Sequence, residues 1–180
     1  RDSMKGGIPF HMKDAIPNLF AHWISLDIIA YLRLVSGTGN TRANWLRIMN
    51  RPNRYIKREA LAPFTSDISV AQLKAYYQDK DWMLERLDRL EYDLSIMKRM
   101  SPYAAIHYLS NAMKYQDYLK DYAKEHHINE QELLDVLNAV HESSQSCRTF
   151  AEWFTYIDTY TEELQKQAKS PASNLSLIHI

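Results

Sequence analysis

Between Asn50 and Arg58 the chain reads Asn50-Arg51-Pro52-Asn53-Arg54-Tyr55-Ile56-Lys57-Arg58, four cations in nine residues. No carboxylate stands among them, and Arg42 and Arg47 extend the basic character upstream. Clustered guanidinium and ammonium groups beside a helix start suit phosphate oxygens. Asn53 can donate to a phosphate, and Tyr55 can stack on a sugar or base. The plainer alternative is a solvated basic turn that balances the acidic half of the same chain. That half runs from Asp117 to Glu163, where eleven carboxylates outnumber Lys120, Lys124 and Arg148. The formal net charge of zero therefore hides a basic end and an acidic end.

Other chemistry is poorly provided for. Metal sites on helices want histidines four apart with a third ligand. His22 and His107 have no such partner, and His126 and His127 are adjacent, so they point to different sides of a helix. No metal-binding residues are assigned. Cys147 has His141 six residues upstream, a weak basis for a nucleophile–base pair. An inert thiol is the plainer reading, and no catalytic residue is assigned. Glu85, Asp88, Glu91 and Asp93 alternate with Lys and Arg as solvated helix faces do. Trp153, Phe154, Ile157 and Tyr160 sit at helical spacing and read as core or interface. No Gly-x-x-x-x-Gly-Lys-Ser/Thr or Gly-x-Gly-x-x-Gly occurs, so no phosphate-cradling loop for a nucleotide is present. Nothing in the chain can run ATP hydrolysis alone.

The elements that must position the basic segment are helical. Apolar residues at Trp23, Leu26, Ile29, Ala30, Leu32 and Leu34 predict a helix over 22–35, stopped by Gly37. Thr41 predicts the cap of a short helix through Met49, and 56–61 reads as another short helix after Pro52. Ser69 with Gln72 forms a capping box for a helix to about Tyr77. Leu87, Leu90, Leu94 and Met97 make the apolar seam of a long helix over 80–100. Ser101-Pro102 reads as the next helix start. Asn129 with Glu132 predicts the cap of a helix to Ser143, and Thr149 with Glu152 that of one reaching Lys169. Gly7-Ile8-Pro9-Phe10-His11-Met12 and Leu175-Ser176-Leu177-Ile178-His179-Ile180 read as strands, the second after a linker at 170–174.

Glycine is absent after Gly39, which favours long helices over a turn-rich β architecture. The lone Cys147 excludes an internal disulfide and fits a reducing, cytoplasmic setting. No apolar run reaches the roughly 20 residues a bilayer span needs. The fold class expected is mostly α: a helical bundle-like insertion with short strand fringes from an adjoining α/β lobe. The divisions expected are 1–20 as fringe and entry linker, 21–169 as the helical unit, and 170–180 as linker and truncated strand. Both ends are expected to be cuts through a longer protein.

Two stretches carry a family likeness. Ile8-Pro9-Phe10, followed by Asp27-Ile28-Ile29-Ala30-Tyr31-Leu32-Arg33-Leu34, resembles an I-P-Y/F strand and K-D-x-x-x-Y-L-R-L helix. Asn50-x-Pro52-x-Arg54-x-Ile56, directly after Trp45-Leu46-Arg47-Ile48-Met49, is similar to N-x-P-x-R-G-I-G. Both patterns, in this order and spacing, belong to UvrD/PcrA-type superfamily 1 DNA helicases. Leu175-Ser176-Leu177-Ile178 resembles the strand leading into that family's motif L-M-T-x-H-x-x-K-G-L-E. Tyr55 and Lys57 depart from the pattern by standing where the family has the two glycines of a tight turn. His179-Ile180 departs from its Thr-x-His.

The resemblance implies an ATP-dependent 3′-to-5′ translocase acting in DNA repair or recombination, with ATP and Mg held between two motor lobes of the parent protein. An adjoining RecA-like α/β lobe is implied, with fringes of that one lobe at both ends of the chain. This chain would be the helical accessory (2B) subdomain inserted in the second lobe. It would have no cofactor and no ATPase activity of its own. Its partners would be double-stranded or forked DNA and the remaining lobes in cis. Arg54 leads the expected phosphate contacts, with Arg51, Lys57 and Arg58 adding to it and Asn53 and Tyr55 contributing polar or stacking contacts. The alternative is a helical protein–protein interaction module without DNA contact, using the acidic half with Trp153, Phe154 and Tyr156.

Overall fold

The computed structural model describes residues 16–169, and every regular element among them is helical. The strands expected near 8–12 and 175–180 and the linker at 170–174 lie outside the described residues. The all-α class holds for the part described.

Helix α1 (Trp23–Ser36) is the central element. It is apolar nearly all round, and Ile24, Ile28, Tyr31 and Leu32 have no exposed surface. A helix of that kind has to be surrounded, and α1 packs against the helices on either side of it in sequence and against four of those that follow. Its start is capped by His22, whose Nδ1 accepts from the Ile24 amide at 3.1 Å. It ends at Gly37, whose φ of 80° needs a residue without Cβ. The chain then folds back tightly: a Cβ on Gly39 would lie 2.6 Å from Cβ of Arg33. Thr41 caps α2 (Arg42–Ile48) through the Asn44 amide at 3.2 Å.

The remaining elements follow local signals closely. A 3₁₀ turn (Arg58–Leu61) leads to α3 (Val70–Tyr76), which carries the Ser69/Gln72 capping box. Helix α4 (Asp81–Met97) buries Leu87, Leu90 and Met97 of the expected seam, with Leu94 half-buried, and adds Met83 one turn earlier. Ser101 caps α5 (Pro102–Asn111), with Pro102 in its first turn. Next come α6 (Tyr115–Glu125), α7 (Glu130–Ser143) and α8 (Phe150–Lys169). Asn129 caps α7 through the Gln131 amide. Helix α8 closes the core at α1 through Phe20, which meets Trp153, Tyr156 and Tyr160 edge-on at 6.4, 6.1 and 5.2 Å. Edge-to-face aromatic packing of this kind stabilises beyond plain burial by about 0.5–1.5 kcal/mol per pair.

Three expectations need correction. The segment read as a helix over 56–61 is extended at Ile56 and Lys57, and only Arg58–Leu61 coils, as 3₁₀. Helix α4 stops at Met97, short of residue 100. Asp93, read with Glu85, Asp88 and Glu91 as part of a solvated face, is buried: it accepts from Tyr108 Oη at 2.6 Å and pairs with Arg89 at 3.3 Å. Burial, then the Asp93 bond, pushes the Tyr108 phenol up to about 12, which keeps it a donor.

Two half-buried imidazoles set a pH dependence. Desolvation lowers the pKa of His141 and His22 from the usual 6.5, partly offset by the Tyr103 carbonyl and by Asp27 respectively. The unfolded chain therefore binds protons at a higher pH than the folded one, and stability is lost as pH falls below 6.5 through the folded values. Melting temperature should drop between pH 7 and pH 5, and His141→Gln should flatten that drop, measured by circular dichroism.

Candidate nucleic-acid interface

The loop after α2 is organised by Asn50. Its Oδ1 accepts from the amides of Arg54 at 3.1 Å and Ile56 at 3.0 Å, and its Nδ2 donates to the Ile56 carbonyl at 2.9 Å. One side-chain amide thus closes the loop, and Ile56 anchors it by burial. Asn53 Oδ1 then accepts from the Tyr55 amide at 2.9 Å, an Asx turn. Tyr55 takes a left-handed conformation, φ 61°, at the position where the helicase pattern has glycine. A left-handed conformation at a residue that carries a Cβ costs about 1–2 kcal/mol. The Lys57 amide donates to Tyr77 Oη at 2.8 Å. All four amides from 54 to 57 are therefore satisfied within the protein, so contacts made by those residues come from their side chains.

The six sequence-predicted residues divide into two groups. Arg54 points inward. Its Nη1 donates to the carbonyls of Ile48 at 3.0 Å and Met49 at 3.1 Å, and its Nη2 to Tyr31 Oη at 3.0 Å. The guanidinium closes the C-terminal end of α2, where orphan carbonyls and the negative end of the helix dipole favour a cation. Tyr31 donates in turn to the Arg51 carbonyl at 2.6 Å. Arg51 donates to Asp27 Oδ1 at 2.8 Å. Asn53, Tyr55, Lys57 and Arg58 are exposed, and among the described residues no carboxylate lies within ion-pair distance of Lys57 or Arg58. The outward contacts thus fall to these four, with Arg54 as the brace beneath them.

Asp27 is the counter-charge that sequence reading did not assign. It is fully buried on α1 and binds three partners: Arg51 Nη1, Arg47 Nε at 2.9 Å, and Tyr115 Oη at 2.7 Å. The Arg47 contact is an ion pair without hydrogen-bond alignment, since Nε has no well-directed acceptor. Burial raises the Asp27 pKa, opposed by Tyr115, Arg51 and Arg47. A lone acid inside the apolar stretch of α1 was the signal that could have found it.

Beside the loop, Pro52, Asn53 and Arg54 form one wall of a cleft of about 420 Å³, and Arg86, Arg89 and Lys114 contribute to the others. Arg86 lies between two exposed rings, 5.0 Å from the centre of Tyr55 and 5.1 Å from that of Trp82. Trp82 and Arg86, four apart on α4, could have been read as one face; Tyr55 could not have been joined to them without the fold.

Comparison with protein-family models, with curated proteins and with solved structures returned no match.

The other candidate sites are less developed. Among the described residues no group of three or more His, Cys, Asp or Glu is arranged to hold a metal ion, and no helix is long and apolar enough to cross a membrane. Burial, then Glu152, pushes the Cys147 thiol up, opposite to the direction that activates a nucleophile. His141 stacks on Tyr103 at 3.9 Å, and its Nε2 lies 3.0 Å from the Tyr103 carbonyl. Trp153, Phe154 and Tyr156, considered as a docking patch, are buried in the core.

Proposed function

We propose that this chain is the helical accessory subdomain of a UvrD/PcrA-type superfamily 1 helicase, and that it holds duplex or forked DNA through the side chains of the loop at 50–58. The observation that carries the reading is the division of labour within Asn50-x-Pro52-x-Arg54-x-Ile56. Asn50, Arg54 and Ile56 build the loop from inside. The left-handed Tyr55 keeps the turn that glycine provides in the family pattern. Among the described residues Lys57 and Arg58 have no carboxylate partner, and they stand beside Asn53 and Tyr55. Such exposed cations gain most by exchanging counterions for phosphates. The acidic residues of α6 to α8 repel the same backbone and so bias which face approaches DNA.

ATP and Mg belong, on this reading, to the motor lobes of the parent. The residues present do not fit a nucleotide site: the Walker pattern is absent, and the loop amides at 54–57 that could cradle a phosphate are already engaged. The subdomain's contribution is positional, and its work would lie in DNA repair or recombination.

Binding should be weak, salt-sensitive and indifferent to sequence. Lys57→Ala with Arg58→Ala should weaken duplex binding and reduce the slope of log affinity against log salt by about 2, near 0.9 for each phosphate no longer neutralised. Fluorescence anisotropy with a labelled duplex at several salt concentrations measures both. An unchanged slope would remove the loop as the DNA contact.

A further inference from the structure

We propose that the cleft beside the loop, together with the two rings that flank Arg86 next to it, binds unpaired nucleotides, with Trp82 and Tyr55 as stacking platforms outside the cleft and Arg86, Arg89 and Lys114 as phosphate contacts within it. This rests on the nucleic-acid reading of the loop and extends it from the duplex to the separated strand.

Trp82 is 51% exposed and Tyr55 62% exposed, which is costly apolar surface that the core does not use. The Arg86 guanidinium lies near the faces of both rings and donates weakly to the Arg54 carbonyl at 3.4 Å. This contact holds ring and cation together without burying either. Exposed rings beside a cationic cleft combine stacking surface with backbone charge, the pairing that holds single strands without regard to sequence.

The charge of the cleft favours a polyanion. Arg54, Arg86, Arg89 and Lys114 line it against one acid, Asp93, which is already engaged by Arg89 and Tyr108. Among the described residues neither Arg86 nor Lys114 has a carboxylate within ion-pair distance. Lys114 reaches the rim from a left-handed residue, φ 68°, at the turn between α5 and α6. The volume of about 420 Å³ falls within the range of small-ligand sites, roughly 300–1,000 Å³, and so admits a nucleotide-sized group. A duplex is too wide to enter, which leaves a base and its phosphate from a single strand.

The test uses the whole chain, a fluorescein-labelled oligo-dT of about twelve nucleotides, and a blunt duplex of similar length. Trp82→Ala should weaken oligo-dT binding about tenfold while leaving duplex binding unchanged. Trp82→Phe should retain most of the affinity, because it keeps a π-face. Intrinsic fluorescence should be quenched by oligo-dT in the wild type and less in Trp82→Phe, since Trp45 and Trp153 are buried and Trp23 is half-buried against Tyr122. Oligo-dT binding that is absent, or indifferent to both Trp82→Ala and Arg86→Ala, overturns the proposal. Equal binding of polyglutamate with no dependence on Trp82 also overturns it, by marking a mere polyanion surface. Duplex binding governed by Lys57 and Arg58 would stand regardless. Conversely, oligo-dT binding that disappears in Trp82→Ala, with no duplex binding at all, supports the cleft and removes the duplex reading.

Discussion

Arg54→Ala should lower the melting temperature by roughly 6–12 °C, taking about 3 kcal/mol for the missing bonds and about 2–4 °C per kcal/mol for a chain of this size. The guanidinium serves two carbonyls at the end of α2 and the hydroxyl of buried Tyr31. Alanine leaves all three without that donor, and Tyr31 is too enclosed for water to replace it easily. Arg54→Lys should recover little, because one ammonium cannot span the positions that the planar fork reaches. Thermal unfolding followed by circular dichroism measures this. A change under about 2 °C, below the shift expected for even one kcal/mol, would mean that the inward bonds contribute nothing. Arg54 therefore differs from Lys57 and Arg58, whose replacement should leave melting nearly unchanged and affect only binding. A loss of DNA affinity in Arg54→Ala that tracks its loss of stability would be indirect.

Asp27→Ala should be at least as damaging, at about 3–5 kcal/mol, because it removes the counter-ion of two arginines and the acceptor of Tyr115 at once. The lower end is the better expectation, since Arg47 and Arg51 are 30% and 36% exposed and can recover some hydration. Asp27→Asn keeps an acceptor and the volume, and should cost less. The two variants also separate charge from shape by their pH dependence. Burial raises the Asp27 pKa above its usual 3.8. As pH falls through that raised value, the folded state takes up a proton before the unfolded state does. This residue therefore adds stability to the fold with acidification, the reverse of the two histidines. Asp27→Asn should abolish that gain, and chemical denaturation at a series of acid pH values would detect it. A wild type and Asp27→Asn with parallel pH profiles would show that the carboxyl does not titrate differently in the fold.

What the sequence made legible was local. The caps at Thr41, Ser69, Ser101 and Asn129 and the stop at Gly37 depend on side chains reaching amides two or three residues away, or on one backbone dihedral, and all fall where expected. The break between α5 and α6 was not legible, because Lys114 makes the turn in a left-handed conformation that neither glycine nor proline announces. The direction of Arg54 was hidden for a related reason. Its charge suggested solvent or phosphate, while the Ile48 and Met49 carbonyls come within reach only once the loop turns back on α2, and Tyr31 only once α2 has docked on α1. Asp93 and Asp27 were concealed likewise: each is satisfied by a phenol from another helix, Asp93 from the next one and Asp27 from one far along the chain. The cleft required α4 to bring Arg86 to a tyrosine on the loop.

The central claim is that nucleic acid approaches the loop at 50–58 and the adjoining face of α4. Its most direct test is the change in backbone amide NMR shifts when a forked duplex is titrated into the full chain. Shifts are expected at 53–58, along 82–89 and at Lys114, with α7 and α8 unmoved. Shifts confined to α6 through α8, or none at concentrations where anisotropy reports binding, would contradict it.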